Sequence, residues 1–324
     1  MNKLIDPFLA ILVSTVILAS FIPARGVAAT GVDTVATAAI VLLFFLHGAR
    51  LARENLLEAL GHWRLHVTIL SITFVLFPLL GLALSSVLHD LLPGGLWTGV
   101  LFLCALPSTV QSSIAFTSIA RGNVAGTVAS AATSNLLGIG LTPVIIGLMV
   151  HTHGAPVSLS GIWRIVEQLL VPFALGQLLR PRIGSWVARN RKLLSLTDRA
   201  TVVLAVYSAF SAAVVQGIWQ QVSLVNLLLL VLVSATLLTA VLLLSRLIAR
   251  RLRFSKEDEI SIVLCGSKKS LVSGVPMARV LFAPDAVGAV VLPVMVFHQM
   301  QLMVCAWLAK RYGSRQGGAP TEEH

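Results

Sequence analysis

The sequence predicts an all-α integral membrane protein of about ten transmembrane helices. Three observations carry this. Only 11% of the 324 residues are charged, where a soluble domain carries about 25%, so a water-facing surface cannot be built. Apolar stretches long enough to cross a bilayer recur along the whole chain. They do not alternate as the strands of a membrane barrel would; Asn226 to Ser245 reads NLLLLVLVSATLLTAVLLLS.

The expected spans are 5–24, 31–50, 66–89, 95–121, 124–150, 159–180, 199–220, 223–250, 257–283 and 286–309. The N-terminus imitates a signal peptide, with Lys3, an apolar run and small residues near Val27 to Thr30. Asp6 and Pro7 interrupt its start, and Ile5 to Pro23 is long enough to span, so it reads as an uncleaved first helix. Arg50 to Arg64 (RLARENLLEALGHWR) predicts a short amphipathic helix on the membrane surface. Residues 181–198 form the longest interior loop, and 313–324 a polar, disordered cytoplasmic tail.

The basic residues test this segmentation. With the N-terminus in the cytoplasm, the cytoplasmic segments collect Arg50, Arg53, Arg64 and Arg121, then the groups Arg180–Arg199, Arg246–Lys256 and Lys310–Arg315. The outside loops hold only Arg25, and Arg164, Lys268, Lys269 and Arg279 remain inside spans. Positive charge favours the cytoplasmic side, so both termini are expected there. The net charge of +11 is then a topology signal and not a nucleic-acid interface.

The halves resemble each other. An ungapped offset of 162 residues places Gly266 on Cys104, and DAVGAVVL from Asp285 on NVAGTVAS from Asn123. Five spans per half is an odd number, so the second half enters the membrane in the opposite sense, the inverted-repeat plan of many secondary transporters. The units are 1–151 and 152–312.

Two spans are interrupted. The fourth, LFLCALPSTVQSSIAFTSIA from Leu101, gathers Ser108, Thr109, Gln111, Ser112 and Ser113 around Pro107. The ninth, IVLCGSKKSLVSGVPMARVLF from Ile262, holds Ser267, Lys268, Lys269, Ser270 and Ser273, with breaks expected at Gly266, Gly274 and Pro276. Backbone freed inside a membrane must find partners, which hydroxyls, an ion or a substrate can supply, and half-helix ends attract charged ligands. A purely structural reading, in which Ser and Thr satisfy their own backbone, competes at each break. Lys268 and Lys269 are the sharpest feature, because charge near the bilayer centre is costly. Each could hold an anionic substrate, act as a tethered cation, or carry a proton. Ser130, Thr133, Ser134 and Asn135 on the fifth span face the fourth as ligands or as interhelical glue. His298, Gln299 and Gln301 occupy the matching region of the tenth. Glu167 is the one carboxylate well inside a span and pairs most simply with Arg164 on the same helix face.

No catalytic constellation appears: there is no HExxH, GxSxG or Walker-type loop. Cys104, Cys265 and Cys305 lie in apolar segments without metal-ligand spacing. An enzyme is not expected, and no cofactor is implied.

LCALPSTVQSSIAFTSIARGN from Leu103, VPFALGQLLRP from Val171 and CGSKKSLVSGVPMA from Cys265 resemble the bile acid:sodium symporter family, solute carrier family ten. The likeness is nearest the branch of its seventh human member and bacterial sodium-dependent transporters. The resemblance implies broken fourth and ninth helices that cross, a core and a panel with substrate between them, and symport of organic anions with sodium. It also implies the bacterial inner membrane. The family's ninth span supplies a Glu and a Gln to sodium; here Cys265 to Ser270 has two lysines and no carboxylate. If a sodium site is kept, it falls near Ser112, Ser113 and Asn135. If not, a lysine stands where sodium would sit and coupling passes to protons. The expected partners are a small anionic substrate and membrane lipid, not nucleic acid. The alternative is a regulatory membrane protein that keeps a transporter fold and affects ion or calcium handling. Substrate identity and oligomeric state leave no mark in the sequence.

Overall fold

A computed structural model describes residues 7–50, 61–151, 166–217, 220 and 222–315. Every regular element among them is a helix, as expected where water cannot satisfy the backbone. The helices are α1 (Pro7–Phe21), α2 (Gly26–Arg50), α3 (Trp63–Val87), α4 (Gly94–Ala105), α5 (Val110–Ile119) and α6 (Val124–His151). They continue with α7 (Val171–Arg189), α8 (Arg191–Val215), α9 (Leu224–Arg251), α10 (Lys256–Gly266), α11 (Leu271–Leu281) and α12 (Pro284–Arg315).

Among the described residues, α2, α3, α6, α8, α9 and α12 are long and apolar enough to cross a membrane. The pair α4 and α5, bent by 62° at its break, meets the same criteria when taken together as one span. The protein is therefore an all-helical integral membrane protein. The other expected spans fall on elements of different kind. The first is α1, only 15 residues long; α7 carries Arg180, Arg182 and Arg189; the ninth is the broken pair α10 and α11.

Two sequence expectations are corrected. Residues 181–198 are not a loop: α7 runs to Arg189 and α8 starts at Arg191, so only Asn190 separates them. Polar sequence does not by itself end a helix, and this one continues through Pro181. Gly274 and Pro276 do not break a helix either; both lie inside α11. The break in the ninth span covers Ser267 to Ser270, directly after Gly266. At the chain's end, α12 continues past Gly313 to Arg315. Most of the proposed amphipathic surface helix (51–60), Arg164 and the rest of the tail (316–324) lie outside the described residues.

Proline shapes two helices in the same way. A π-helical turn, Ile72–Leu76, sits just before Pro78 in α3, and another, Val166–Leu170, just before Pro172 in α7. Proline has no N–H and its ring crowds the carbonyl four residues back, so the ladder widens ahead of it.

The helices pack in two groups. One contains α1, α2, α7 and α8; the other contains α3 to α6 and α9 to α12. They meet mainly where α8 lies against α11 and α12. Within the first group, Arg50 at the end of α2 donates to Asp198 of α8 at 2.6 Å. The α2–α7 contact is made backbone to backbone. A Cβ on Gly176 would collide with the Phe45 carbonyl, and one on Gly48 with the Phe173 carbonyl. Small residues let helices approach this closely where the lipid offers no hydrophobic drive. Gly176→Ala is expected to separate the pair and cost about 1–3 kcal/mol. Thermal unfolding of the purified protein in detergent would read this as a lower Tm. Gly31→Ala, with open space around its Cβ, is the control; equal losses in both would discount the contact.

Candidate functional site

The two interrupted spans meet at their interruptions. Four residues, Leu106 to Thr109, separate α4 from α5, and four, Ser267 to Ser270, separate α10 from α11. The Ser270 N–H donates to Pro107 O at 2.9 Å, and Ser108 Oγ donates to Cys265 O at 2.6 Å. Both breaks are buried.

A broken helix leaves its last carbonyls without intrahelical donors, and in a membrane interior each must be answered. At the end of α4 the accounting closes. Leu103 O accepts from the Leu106 N–H at 3.2 Å. Cys104 O and Leu106 O accept from Lys269 Nζ at 2.8 and 2.7 Å. Ala105 O accepts from Thr142 Oγ1 of α6 at 2.9 Å. Pro107 O is met by Ser270, as above, and Ser108 O accepts from Asn135 Nδ2 at 2.7 Å.

Lys269 answers a third carbonyl, Thr73 O in α3, at 2.8 Å. The π turn explains why that oxygen is open. Phe77 N–H reaches back to Ile72 O, and the next donor in that register belongs to residue 78, a proline. An ammonium has three N–H donors and no acceptor, and here all three are used. Its charge also lies at the negative end of the α4 dipole, and it stacks 4.1 Å from the Phe77 ring centroid. The main chain of Lys269 is fixed by Gln301: its N–H donates to Gln301 Oε1, and its carbonyl accepts from Gln301 Nε2, both at 2.8 Å. His298 Nδ1 lies 2.9 Å from Gln301 Nε2.

Lys268 behaves differently. Both lysines lie in the non-helical break, and their side chains reach different elements. Lys268 Nζ lies 3.8 Å from the Phe116 ring centroid on α5. It is fully buried and has no hydrogen-bond partner among the described residues.

Asn135 joins the two breaks. Besides Ser108 O, its Nδ2 reaches Ala131 O at 3.0 Å, and its Oδ1 accepts from Ser273 Oγ at 2.9 Å. Ser270 Oγ caps α11 by accepting from Ser273 N at 3.2 Å. Ser134 Oγ accepts from Ser108 N at 3.0 Å. The structure thus brings together Ser108, Ser113, Ser134, Asn135, Lys269 and Ser270. Ser112, half-buried, donates to Thr109 Oγ1 at 3.0 Å. Ser267 turns back to Val263 O, and Ser130 pairs with His66 at 2.6 Å. Gln111 is exposed. Thr133 Oγ1 and Gln299 Oε1 are buried with no hydrogen-bond partner among the described residues. Glu167 is exposed, and its expected partner Arg164 lies outside the described residues.

Sequence reasoning missed Thr142 and the Thr73 carbonyl. Thr142 is an ordinary Thr one residue before Pro143. The Thr73 carbonyl was readable in principle, from a proline five residues later in a buried helix. Among the described residues, no three His, Cys, Asp or Glu side chains gather as a metal cluster. The donors at the crossing are carbonyls, hydroxyls, amides and a lysine.

The family model described as the SBF-like CPA transporter family matches residues 6–314. The chain is 52% identical over 310 residues to "Putative symporter YfeH" of Escherichia coli (strain K12), covering 96% of this chain and 93% of that protein. It is 53% identical over 315 residues to an uncharacterized protein of Pseudomonas aeruginosa, covering 97% and 95%. It is 26% identical over 279 residues to "Sodium/bile acid cotransporter 7" of Rattus norvegicus, covering 84% and 81%.

Proposed function

The chain belongs to the SBF-like CPA transporter family, a family of transporters and not of enzymes, and from that premise we propose that it is a secondary active transporter moving a small organic anion by alternating access. In this reading ten spans form two inverted repeats, 1–151 and 152–312, and substrate passes between the two helix groups. The offset of 162 residues supports it, because it lays Ser108 on Ser270 and the start of α6, Val124, two residues inside α12. The charge distribution supports cytoplasmic termini, and the resemblance to bacterial transporters supports the inner membrane.

The observation that carries the coupling argument is the Lys269 ammonium, held by carbonyls of α3 and of the α4 break at 2.7–2.8 Å. Backbone carbonyls are also what a hard cation such as sodium recruits. The protein therefore carries its own cation at the crossing, and transport does not need sodium there. Lys268, whose Nζ meets no hydrogen-bond acceptor among the described residues, is the group that would exchange a proton with a passing substrate. Gln111, exposed, and Ser112, half-buried, are the polar side chains at the start of α5 that an incoming ligand would meet first.

The test is reconstitution. Purified protein in liposomes is expected to take up a labelled organic-anion mixture saturably, driven by an imposed pH gradient and unchanged when potassium replaces sodium. Uptake that requires sodium would overturn the coupling. No uptake from a well-folded protein, under any gradient, would turn the reading to a regulatory membrane protein.

A further inference from the structure

The two helix groups enclose a cavity that the crossing does not use. It has a volume of about 150 Å³, close to that of a known cavity that binds benzene. It lies at the end of the bundle opposite the basic loops, between α2 and α8 on one side and α11 and α12 on the other. Thr37, Gln168 and Ser208 supply neutral polar groups, and Ile40, Phe282 and Val287 supply apolar wall.

Its charge is one guanidinium and one carboxylate. Arg279 on α11 has a side chain only 9% exposed, and its Nη2 donates to Asp33 Oδ1 on α2, whose side chain is 58% exposed. Ser208 Oγ also lies 3.4 Å from that oxygen. Arg279 Nη1 is buried and has no hydrogen-bond partner among the described residues. A guanidinium presents paired N–H groups that match a carboxylate two for two. Asp33 engages it by one nitrogen, so the recognition geometry is half used. Leaving a buried donor open costs free energy unless something occupies it.

We propose that Arg279 is the anion-recognition residue of this cavity, taking a small monocarboxylate of about benzoate size by both Nη atoms, and that Asp33 is an internal carboxylate that holds the cavity shut until the ligand displaces it. The ion pair joins α2 of the first helix group to α11 of the second, so displacement unties the two groups at this end. That gating step rests on the transporter reading; the anion site does not.

The experiment is thermal unfolding of the full chain in detergent, with sodium benzoate titrated against benzamide at matched ionic strength. Benzoate is expected to raise the Tm and benzamide not. Asp33→Asn removes the competitor and should respond at about tenfold lower benzoate, since apparent affinity scales with the fraction of competent sites. Arg279→Gln should not respond. Thr37→Trp fills the cavity while leaving both charges, and should also lose the response; it decides the matter should Arg279→Gln not fold. A benzoate response that survives Arg279→Gln or Thr37→Trp overturns the site, as does its absence in both wild type and Asp33→Asn. Asp33→Asn responding no better than wild type overturns the role of Asp33. The transporter reading fails separately: the binding pattern holding in a protein that moves no anion leaves the site standing, and saturable uptake unaffected by Arg279→Gln leaves the transporter standing.

Discussion

Lys269→Met should cost about 3–5 kcal/mol, the range for removing one partner from a buried charged network. Thr73 O, Cys104 O and Leu106 O would lose their donor together, and methionine brings no N–H to replace it. Two of those oxygens belong to the α4 break and one to the π turn of α3, so the loss loosens two elements at their contact. In detergent the apparent Tm should fall by on the order of 10 °C. Lys269→Ala adds a second readout. It leaves an ammonium-sized space lined by three carbonyls, and sodium should restore part of its stability while leaving the wild type unmoved, because a ligand stabilises only the state that binds it. An unchanged Tm in Lys269→Met would remove Lys269 from the support of the crossing. A sodium-specific rise in the wild type would show that the ion has a site of its own beside the lysine.

Much of this geometry was legible and some was not, for identifiable reasons. The break at Pro107 announces itself, because proline amid Ser108, Thr109 and Ser112 inside an apolar span needs external partners. The break at Ser267 to Ser270 follows from two lysines placed where no membrane helix spends charge. Which lysine does what was hidden, because both lie in the break, where helical spacing does not set their directions. Pro276 looked like a second break and is not one. A proline within a membrane helix frees a single carbonyl, which neighbouring helices can satisfy. The expected loop at 181–198 failed because hydropathy reports depth in the membrane, while helix persists wherever its own ladder does. The partners of Lys269 are backbone oxygens, which no side chain advertises. Asp33 and Arg279 are 246 positions apart, and their pairing exists only once α2 and α11 face one another.

Lys268→Met is expected to do the opposite of its neighbour. Lys268 Nζ is fully buried, donates to no hydrogen-bond acceptor among the described residues, and lies 3.8 Å from the Phe116 ring centroid. A cation–π contact returns about 2 kcal/mol at best, against a desolvation penalty of several kcal/mol for a buried ion. Methionine keeps the length and packs on the same ring. The Tm should therefore hold or rise, by about 1–3 kcal/mol of stability, while uptake driven by a pH gradient is lost and exchange of labelled for unlabelled anion without a gradient persists. A destabilisation as large as that of Lys269→Met would mean that Lys268 is held by partners and is structural. Stability retained with pH-driven uptake intact would leave the residue no part in coupling. The expected results for Lys269→Met and Lys268→Met together would separate, between adjacent and equally buried lysines, a charge the fold needs from a charge it tolerates.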